Sequence, residues 1–262
     1  MTVPEKRWLT GREPTQAIYG TEVRVVGRSG SWRKVVVPSQ PTNLDPRGYP
    51  GWLPSRQLTG SAPVRSARSV VVRSATTWAW SGWTRHGPAG TRLMELSYDT
   101  RLPVLRAAPA YIVVGLLGGR RAAVDPASLM VAPTGRGSST VTGKDIVNEA
   151  ERFMGLPYLW GGTSGFGFDC SGLTYAVYAA FGTTLPRDAS QQGAHGIPIQ
   201  RSLLMPGDLV FFREAADGPV AHVGLYLAND SVLDAPHTGA AIRIVRISSF
   251  RYYAGARRYL SR

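Results

Sequence analysis

One cysteine, Cys170, is the residue of this chain best suited to nucleophilic chemistry. A lone thiol cannot close a disulfide within the chain. Apolar residues such as Leu173 and Ala176 follow it at helical spacing, which predicts that Cys170 lies in the first turn of a helix. The positive end of the helix dipole favours a thiolate there, the form that attacks carbonyl carbons. Asp169 suits the cap of the same helix. The alternative is a small buried side chain without chemistry, the commoner role of a lone cysteine.

A thiolate nucleophile needs a base, and His222 is the histidine whose context fits. It lies in an apolar stretch, 221–227, of strand-like composition, which is followed by a predicted turn at 228–231 and a returning strand at 232–235. A histidine on a sheet that faces a helix N-terminus meets the requirement of Cys–His chemistry. A histidine hydrogen-bonded within the core is the alternative. The other histidines are His86, His195 and His237.

The third polar group, which would orient the imidazole, has two candidates on or just after the returning strand, Asp234 and His237. A shift of one residue in strand register moves every side chain to the other face of a sheet, so the loop decides between them. An odd loop or a bulge brings Asp234 to the face of His222, and an even loop favours His237. The sequence leaves this choice open.

Five segments of the C-terminal half resemble the catalytic core of the NlpC/p60 cysteine peptidases. They occur in the family's order, and the resemblance covers the chain from about residue 140 to its last residue. One departure is Ala189, where relatives often carry serine. The segments are 155–162, 169–172, 185–191, 206–212 and 221–226.

The resemblance implies a papain-like α+β domain that hydrolyses peptide bonds of bacterial cell-wall peptides, typically after γ-D-glutamate. Cys170 would be the nucleophile and His222 the general base. The family's third polar residue lies twelve positions after that histidine, which here is Asp234, although many relatives carry histidine there. His237 is the fallback for this role.

The same resemblance assigns residues to the substrate. Tyr158 matches a family tyrosine near the thiolate and is predicted to donate to the oxyanion, with an aromatic core residue as the alternative. The backbone amide of Cys170 is the other oxyanion donor. Asp169 and Ser171 flank the nucleophile in the matched motif and join the predicted substrate-binding set.

The N-terminal half is predicted to be all-β. Alternating residues at 22–26 predict a strand, 27–31 a turn and 32–37 the next strand. A linker rich in Gly, Ser and Thr is predicted at 134–142. Further short strands are predicted at 70–72, 92–96, 112–114 and 121–124. The predicted domains are two small barrels, 1–60 and 61–135, and the catalytic domain, 140–262.

The first barrel resembles a bacterial SH3-like domain in segments 15–20 and 45–54. Murein-peptide recycling endopeptidases carry two such domains before an NlpC/p60 domain, and the second is matched here by position and length. In those relatives the first SH3-like domain closes one end of the active site. It helps to bind the free N-terminal amine of L-Ala-γ-D-Glu peptides, using an acidic residue and a tyrosine.

Two residues of the first barrel are therefore predicted to contact substrate. Tyr49 matches the tyrosine, and Trp52 lies in the same segment. The acidic residue would fall at Thr21, and Glu22 is one place later. On an alternating strand that shift turns the carboxylate away, so amine recognition is predicted to depend on Asp169 or to be weaker.

Positive charge is concentrated in the N-terminal half. Residues 1–139 hold 19 Lys+Arg and 7 Asp+Glu, whereas residues 140–262 hold 11 and 10. A surface of one sign attracts polyanions, so anionic wall polymers are predicted partners in addition to peptidoglycan peptides. A scattered set of solvated charges is the alternative. Since no nucleic-acid-binding motif occurs, no nucleic-acid partner is expected. The protein is predicted to be a monomer.

Composition limits the remaining possibilities. No apolar run reaches about eighteen residues, so no membrane-spanning helix is expected. Residues 1–8 lack the apolar stretch of a secretory signal, which fits either an intracellular recycling enzyme or a mature envelope form. No Cys and His cluster has zinc spacing, and neither a metal nor a cofactor is predicted. Two rival functions are a thiol amidase or acyltransferase on the same fold and a non-catalytic wall-binding protein.

Overall fold

A computed structural model describes residues 1–62, 64–132 and 141–260. The helices within these residues are α1 (Val3–Leu9), α2 (Gly143–Glu151), α3 (Cys170–Ala180) and α4 (Ala189–Ala194). The strands of the N-terminal half are β1 (Arg24–Ser29), β2 (Trp32–Val37), β3 (Tyr49–Pro54), β4 (Ser69–Val72), β5 (Thr76–Thr84), β6 (Gly87–Ser97), β7 (Arg101–Ala108), β8 (Tyr111–Gly115), β9 (Arg121–Val124) and β10 (Leu129–Val131). Those of the C-terminal half are β11 (Thr163–Ser164), β12 (Gly167–Phe168), β13 (Ile197–Ile199), β14 (Leu209–Arg213), β15 (Val220–Ala228), β16 (Ser231–Asp234), β17 (Arg243–Arg246) and β18 (Tyr252–Arg258).

Two antiparallel sheets make up most of the N-terminal half. The first has the order β1-β2-β3, and the second has the order β10-β4-β7-β8-β9-β5-β6. Alternate residues of the second sheet, including Val72, Leu96 and Val114, form a buried apolar core. The β-rich prediction for this half is confirmed. The SH3-like assignment and the domain bounds remain predictions, and residues 134–140 of the predicted linker lie outside the described residues.

Two local features of this half differ from the prediction. The turn predicted at 27–31 is shorter, because β1 continues to Ser29, which pairs with Trp32. Gly30, with a φ of 51°, takes the left-handed conformation that so tight a turn requires. Helix α1 was not predicted. It is fixed by a reciprocal cap, in which Thr2 accepts from the amide of Glu5 and the Glu5 carboxylate accepts from the amide of Thr2.

The C-terminal half is a six-stranded antiparallel sheet, of order β13-β18-β14-β15-β16-β17, with α2, α3 and α4 packed beside it. Alternation along its strands gives the sheet two apolar faces. Phe211 and Leu225 belong to the main core with α2 and α3, whereas Phe212 and Val232 face a smaller cluster that includes Ile247. The predicted α+β fold class is confirmed. Among the described residues, no helix has the length and apolar character needed to cross a membrane.

Specific polar contacts join the N-terminal sheets to the C-terminal half. The Arg73 guanidinium donates to the Glu149 carboxylate at 2.9 Å, and Glu149 is almost completely buried. The Tyr175 hydroxyl donates to the carbonyl of Ser39 at 3.0 Å. The first contact joins the second sheet to α2, and the second joins the loop after β2 to α3.

Candidate active site

Cys170 is the first residue of α3, and Asp169 caps this helix by accepting from the amide of Gly172 at 2.6 Å. The predicted helix start is therefore confirmed. A Cβ at Gly172 would lie 1.9 Å from the carbonyl oxygen of Gly162, so only glycine lets the first turn of α3 approach the preceding loop this closely. This packing leaves the Cys170 thiol partly exposed at the helix N-terminus, where the helix dipole favours a negative charge.

His222 lies on β15 and meets Asp234 of the neighbouring strand β16. The pairing of the two strands shifts register between Tyr226 and Ala228, which leaves one extra residue in β15. This bulge brings Asp234 to the face of His222, and the Nε2 of His222 lies 2.6 Å from Oδ1 of Asp234. Of the two alternatives that the sequence left open, the structure shows the bulge that pairs Asp234 with His222.

His222 and Cys170 line the same cleft. Burial by itself would lower the pKa of His222, but the negative charge of Cys170 and the hydrogen bond to Asp234 outweigh burial and raise this pKa to about 10. His222 is therefore protonated at neutral pH. Because Nε2 faces Asp234, Nδ1 is the nitrogen left for the sulfur.

These groups open into a cleft of about 940 Å³ between α3, the sheet and the N-terminal half. Tyr158 lines the cleft, and its backbone amide donates to the carbonyl of Ala240 at 2.9 Å, which fixes this segment beside β17. Burial raises the pKa of Tyr158 well above its ordinary range, and the charge of Cys170 adds to this shift. The Tyr158 hydroxyl therefore keeps its proton and is available as a donor.

A buried arginine, Arg187, holds Asp169 and Ser171 in place. Its two terminal nitrogens donate to the two carboxylate oxygens of Asp169, at 3.1 and 2.6 Å, and only 1% of its side chain is exposed. It also donates to Ser171 Oγ at 3.0 Å and to Thr15 Oγ1 at 3.0 Å. Thr15 comes from the N-terminal half, so this arginine also connects that half to the residues beside Cys170.

A further carboxylate, Asp188, lines this end of the cleft, and Glu13 lies near Asp169 but is not among the residues that line the cleft. Asp188 accepts from the hydroxyl of Tyr49 at 3.3 Å and from Gln191 at 3.1 Å, and burial raises the pKa of its carboxyl. Burial also raises the pKa of Glu13, and the charge of Asp169 contributes to that shift. Because Arg187 pairs with Asp169, Asp188 supplies the unpaired negative charge at this end of the cleft, which suits a cation.

Comparison with known proteins agrees with this site. The NlpC/P60 family profile matches residues 155–258. A gamma-D-glutamyl-L-lysine dipeptidyl-peptidase of Bacillus cereus is 37% identical over 99% of this chain and 80% of its own length. The chain belongs to the NlpC/P60 family. Its predicted enzyme class, cysteine peptidase, is thereby confirmed.

Two other comparisons give the same result for this NlpC/P60 peptidase. A protein of the same name from Bacillus subtilis is 36% identical over 91% of the chain and 77% of its own length. The crystal structure of an NlpC/P60 family protein from Bacillus cereus superposes with a TM-score of 0.86 at 35% identity. It covers 100% of this chain and 87% of the other, so the likeness includes the N-terminal sheets as well as the peptidase domain.

Most of the predicted site residues meet in the cleft of this NlpC/P60 peptidase. Trp52 is absent from the residues that line it, because this side chain lies on the outer face of the first sheet opposite Lys34 and is 48% exposed. Glu22 lines a separate cavity of about 430 Å³. The predicted residues that line the cleft are Cys170, His222, Asp234, Tyr158, Asp169, Ser171, Tyr49 and the fallback His237.

Several cleft residues had no predicted role. Thr10, Gly11 and Pro14 follow α1, and no periodicity indicated that this segment would reach the catalytic domain. Arg187 and Asp188 were noticed only as parts of a matched segment. The sequence did contain a signal for an arginine here, because a carboxylate such as Asp169 needs a counter-charge when it is buried. It does not show which arginine supplies that charge.

Proposed function

We propose that this peptidase hydrolyses the bond between γ-D-glutamate and a diamino acid in peptidoglycan-derived peptides. The observation that carries the proposal is that Cys170, His222 and Asp234 line one cleft, where His222 is hydrogen-bonded to Asp234 and one end is acidic. The two relatives that span most of the chain are named for a γ-D-glutamyl-L-lysine bond. Their names support this bond as the substrate.

The reaction follows from the charges of the site. The thiolate of Cys170 attacks the γ-carbonyl carbon of D-glutamate, and the Tyr158 hydroxyl and the Cys170 amide donate to the oxyanion. His222, as imidazolium, gives its proton to the leaving amine, and a thioester remains. Neutral His222 then takes a proton from water, which attacks the thioester, releases the γ-glutamyl acid and regenerates the thiolate.

The acidic end of the cleft gives a reason to propose selectivity for a free N-terminal amine. An L-Ala residue before γ-D-glutamate would reach back from the thiol toward Tyr49 and Asp188, and its ammonium group would complement Asp188. Asp169 contributes less, because Arg187 already neutralises it. Here the carboxylate comes from Asp188, which precedes α4, whereas Glu22 lines the separate cavity.

Mass spectrometry of four digests tests both the proposed bond and the amine selectivity. L-Ala-γ-D-Glu-diaminopimelate and its N-acetylated form are incubated with the wild-type enzyme and with Cys170→Ala. We expect free L-Ala-D-Glu from the unblocked peptide only, and no product from the variant. Cleavage of both peptides at equal rates would contradict the amine selectivity. An amide-exchange product without the free acid would favour the acyltransferase instead.

One feature of the second sheet supports a further partner, the anionic wall polymers. Arg92 and Arg106 are exposed at the two ends of a cross-strand row whose middle residues, Val113 and Ala123, are buried. The Arg92 guanidinium lies 5.3 Å from the centre of the Trp80 ring.

We propose that the exposed Arg92 and Arg106 of this sheet bind phosphate-rich polymers. Wild-type protein should sediment with polymer-bearing cell walls at low salt and be released at high salt. Arg92→Ser with Arg106→Ser should sediment less, whereas Arg24→Ser with Arg28→Ser, on the first sheet, is the charge-matched control. Equal binding of both double variants would overturn this assignment.

A further inference from the structure

Arg243 is a cleft residue that the proposed reaction does not use. It is the first residue of β17 and the register partner of Asp234. Its Nε lies 3.9 Å from Oδ2 of Asp234, which is beyond hydrogen-bonding distance, and 58% of its side chain is exposed. Within residues 1–62, 64–132 and 141–260 we find no hydrogen bond from this guanidinium, so its donors are available to a ligand.

The other arginines of this region are already engaged. Arg213 also lines the cleft, but it donates to the carbonyl of Ala216 at 3.1 Å. Arg187 is buried and makes four hydrogen bonds to protein groups. A guanidinium offers two parallel donors whose spacing matches the two oxygens of a carboxylate. Arg243 is therefore well suited to bind a carboxylate of the substrate.

Arg243 lies on the side of the cleft where the leaving group is expected. The acyl half of the substrate extends toward Asp188, which precedes α4, and α4 packs on β14 and β15. Arg243 lies on the other side of His222, beyond Asp234, because the strand order is β14-β15-β16-β17. Since His222 protonates the leaving amine, the group attached to that nitrogen extends past His222 toward β17.

We infer that Arg243 binds a carboxylate of the leaving diamino acid and so selects substrates that carry it; this inference rests on the proposed function. Two sources offer that chemistry. One is the α-carboxylate of a C-terminal diamino acid. The other is the second carboxylate that diaminopimelate carries on its side chain and lysine lacks. Both would form the same two-pronged contact with the guanidinium.

Steady-state kinetics with four peptides separates these sources. The peptides are L-Ala-γ-D-Glu-L-Lys, its α-amide, L-Ala-γ-D-Glu-meso-diaminopimelate and the α-amide of that peptide. Arg243→Gln should reduce the preference for the carboxylate-bearing member of a pair, measured as a ratio of kcat/KM, by about tenfold. A reduced preference for the lysine acid over its amide identifies the α-carboxylate. A reduced preference for the diaminopimelate amide over the lysine amide identifies the side-chain carboxylate.

Two variants serve as controls. Arg213→Gln removes the other cleft arginine and should keep the wild-type ratios. Arg243→Lys keeps the positive charge but loses the two parallel donors, so it should retain part of the preference for the carboxylate-bearing peptide. Equal ratios in wild type and Arg243→Gln would overturn the inference. A uniform loss of kcat/KM over all four peptides would also overturn it, because that result is expected if Arg243 only supports Asp234. If the wild-type enzyme cleaves none of the four, the proposed function fails as well.

Discussion

The Nε2 atom of His222 and the Oδ1 atom of Asp234 are 2.6 Å apart across a strand pair that carries a bulge. This contact determines which imidazole nitrogen faces the sulfur. It also keeps a negative charge beside the ring, so the protonated ring is stabilised from both sides, by Asp234 and by the Cys170 thiolate. The orientation and the charge of the base thus depend on the register of β15 and β16.

Replacement of Asp234 with asparagine should shift the alkaline limb of the pH–rate profile. The wild-type pKa of His222 is about 10, so the imidazolium, and with it kcat/KM, should be lost only near that pH. The carboxylate raises this pKa, so its removal lowers it, and activity should decline at a lower pH. We expect kcat to fall about tenfold or more, measured by product release between pH 6 and 11.

His237→Gln is the matched control for this profile. His237 lines the same cleft, but its Nδ1 lies 3.1 Å from the carbonyl of Thr238 and not beside His222. This variant should keep the wild-type alkaline limb. A shift in His237→Gln without one in Asp234→Asn would assign the third role to His237.

Cys170→Ala should abolish turnover and leave the fold nearly intact. The thiol is only partly buried, so its loss removes little packing and should change the melting temperature by no more than about 2 °C. Product detection by chromatography and thermal denaturation by circular dichroism measure the two effects. Residual hydrolysis well above the buffer rate would mean that another group is the nucleophile.

Tyr158→Phe should separate an oxyanion donor from a core aromatic residue. The change keeps the ring and removes only the hydroxyl, so a donor role predicts a fall in kcat of about tenfold to a hundredfold with a nearly unchanged KM. A packing role predicts normal kcat. The same steady-state assay with the unblocked tripeptide distinguishes these outcomes.

The sequence was sufficient for the features that depend on local pattern. The helix that begins at Cys170 follows from apolar spacing and a capping residue, and the strand of His222 follows from composition. It was insufficient for the choice between Asp234 and His237, because the bulge between Tyr226 and Ala228 depends on how two strands twist and pack.

Contacts between segments that are distant in the sequence were the other feature that could not be predicted. Trp52 was assigned to the substrate from its segment, but a side chain on β3 faces either the cleft or solvent, and here it is exposed. Thr15 contacts Arg187 from 172 positions away. Neither spacing nor propensity contains this information, since it arises when the first sheet docks on α3 and α4.

The buried ion pair of Arg187 and Asp169 should respond asymmetrically to mutation. Arg187→Met leaves the Asp169 carboxylate without its counter-charge, which costs about 3–5 kcal/mol in comparable buried pairs. Arg187→Lys keeps the charge but loses the two-pronged contact and should be less damaging. Urea denaturation measures the difference, and Arg152→Met, at a half-exposed arginine near Glu149, is the control. Equal stability of Arg187→Met and wild type would contradict a structural role for this pair.

Asp99 should make the stability of the protein depend on pH. It lines the 430 Å³ cavity between the sheets and α3, and burial raises the pKa of its carboxyl from 3.8 to about 7. A carboxyl whose pKa is higher in the folded state stabilises the fold at low pH, and this contribution is lost as the pH rises from about 4 to about 7. Asp99→Asn should therefore melt a few degrees higher than wild type at pH 8, and the difference should shrink toward pH 5.

Asparagine also tolerates the left-handed conformation of this position, whose φ is 61°. Arg101 keeps its hydrogen bond to the carbonyl of Ala179 in the variant. Asp217→Asn, at an exposed aspartate, is the control and should follow the wild-type melting curve at every pH. A constant difference between Asp99→Asn and wild type from pH 5 to 8 would show that Asp99 does not titrate in this range.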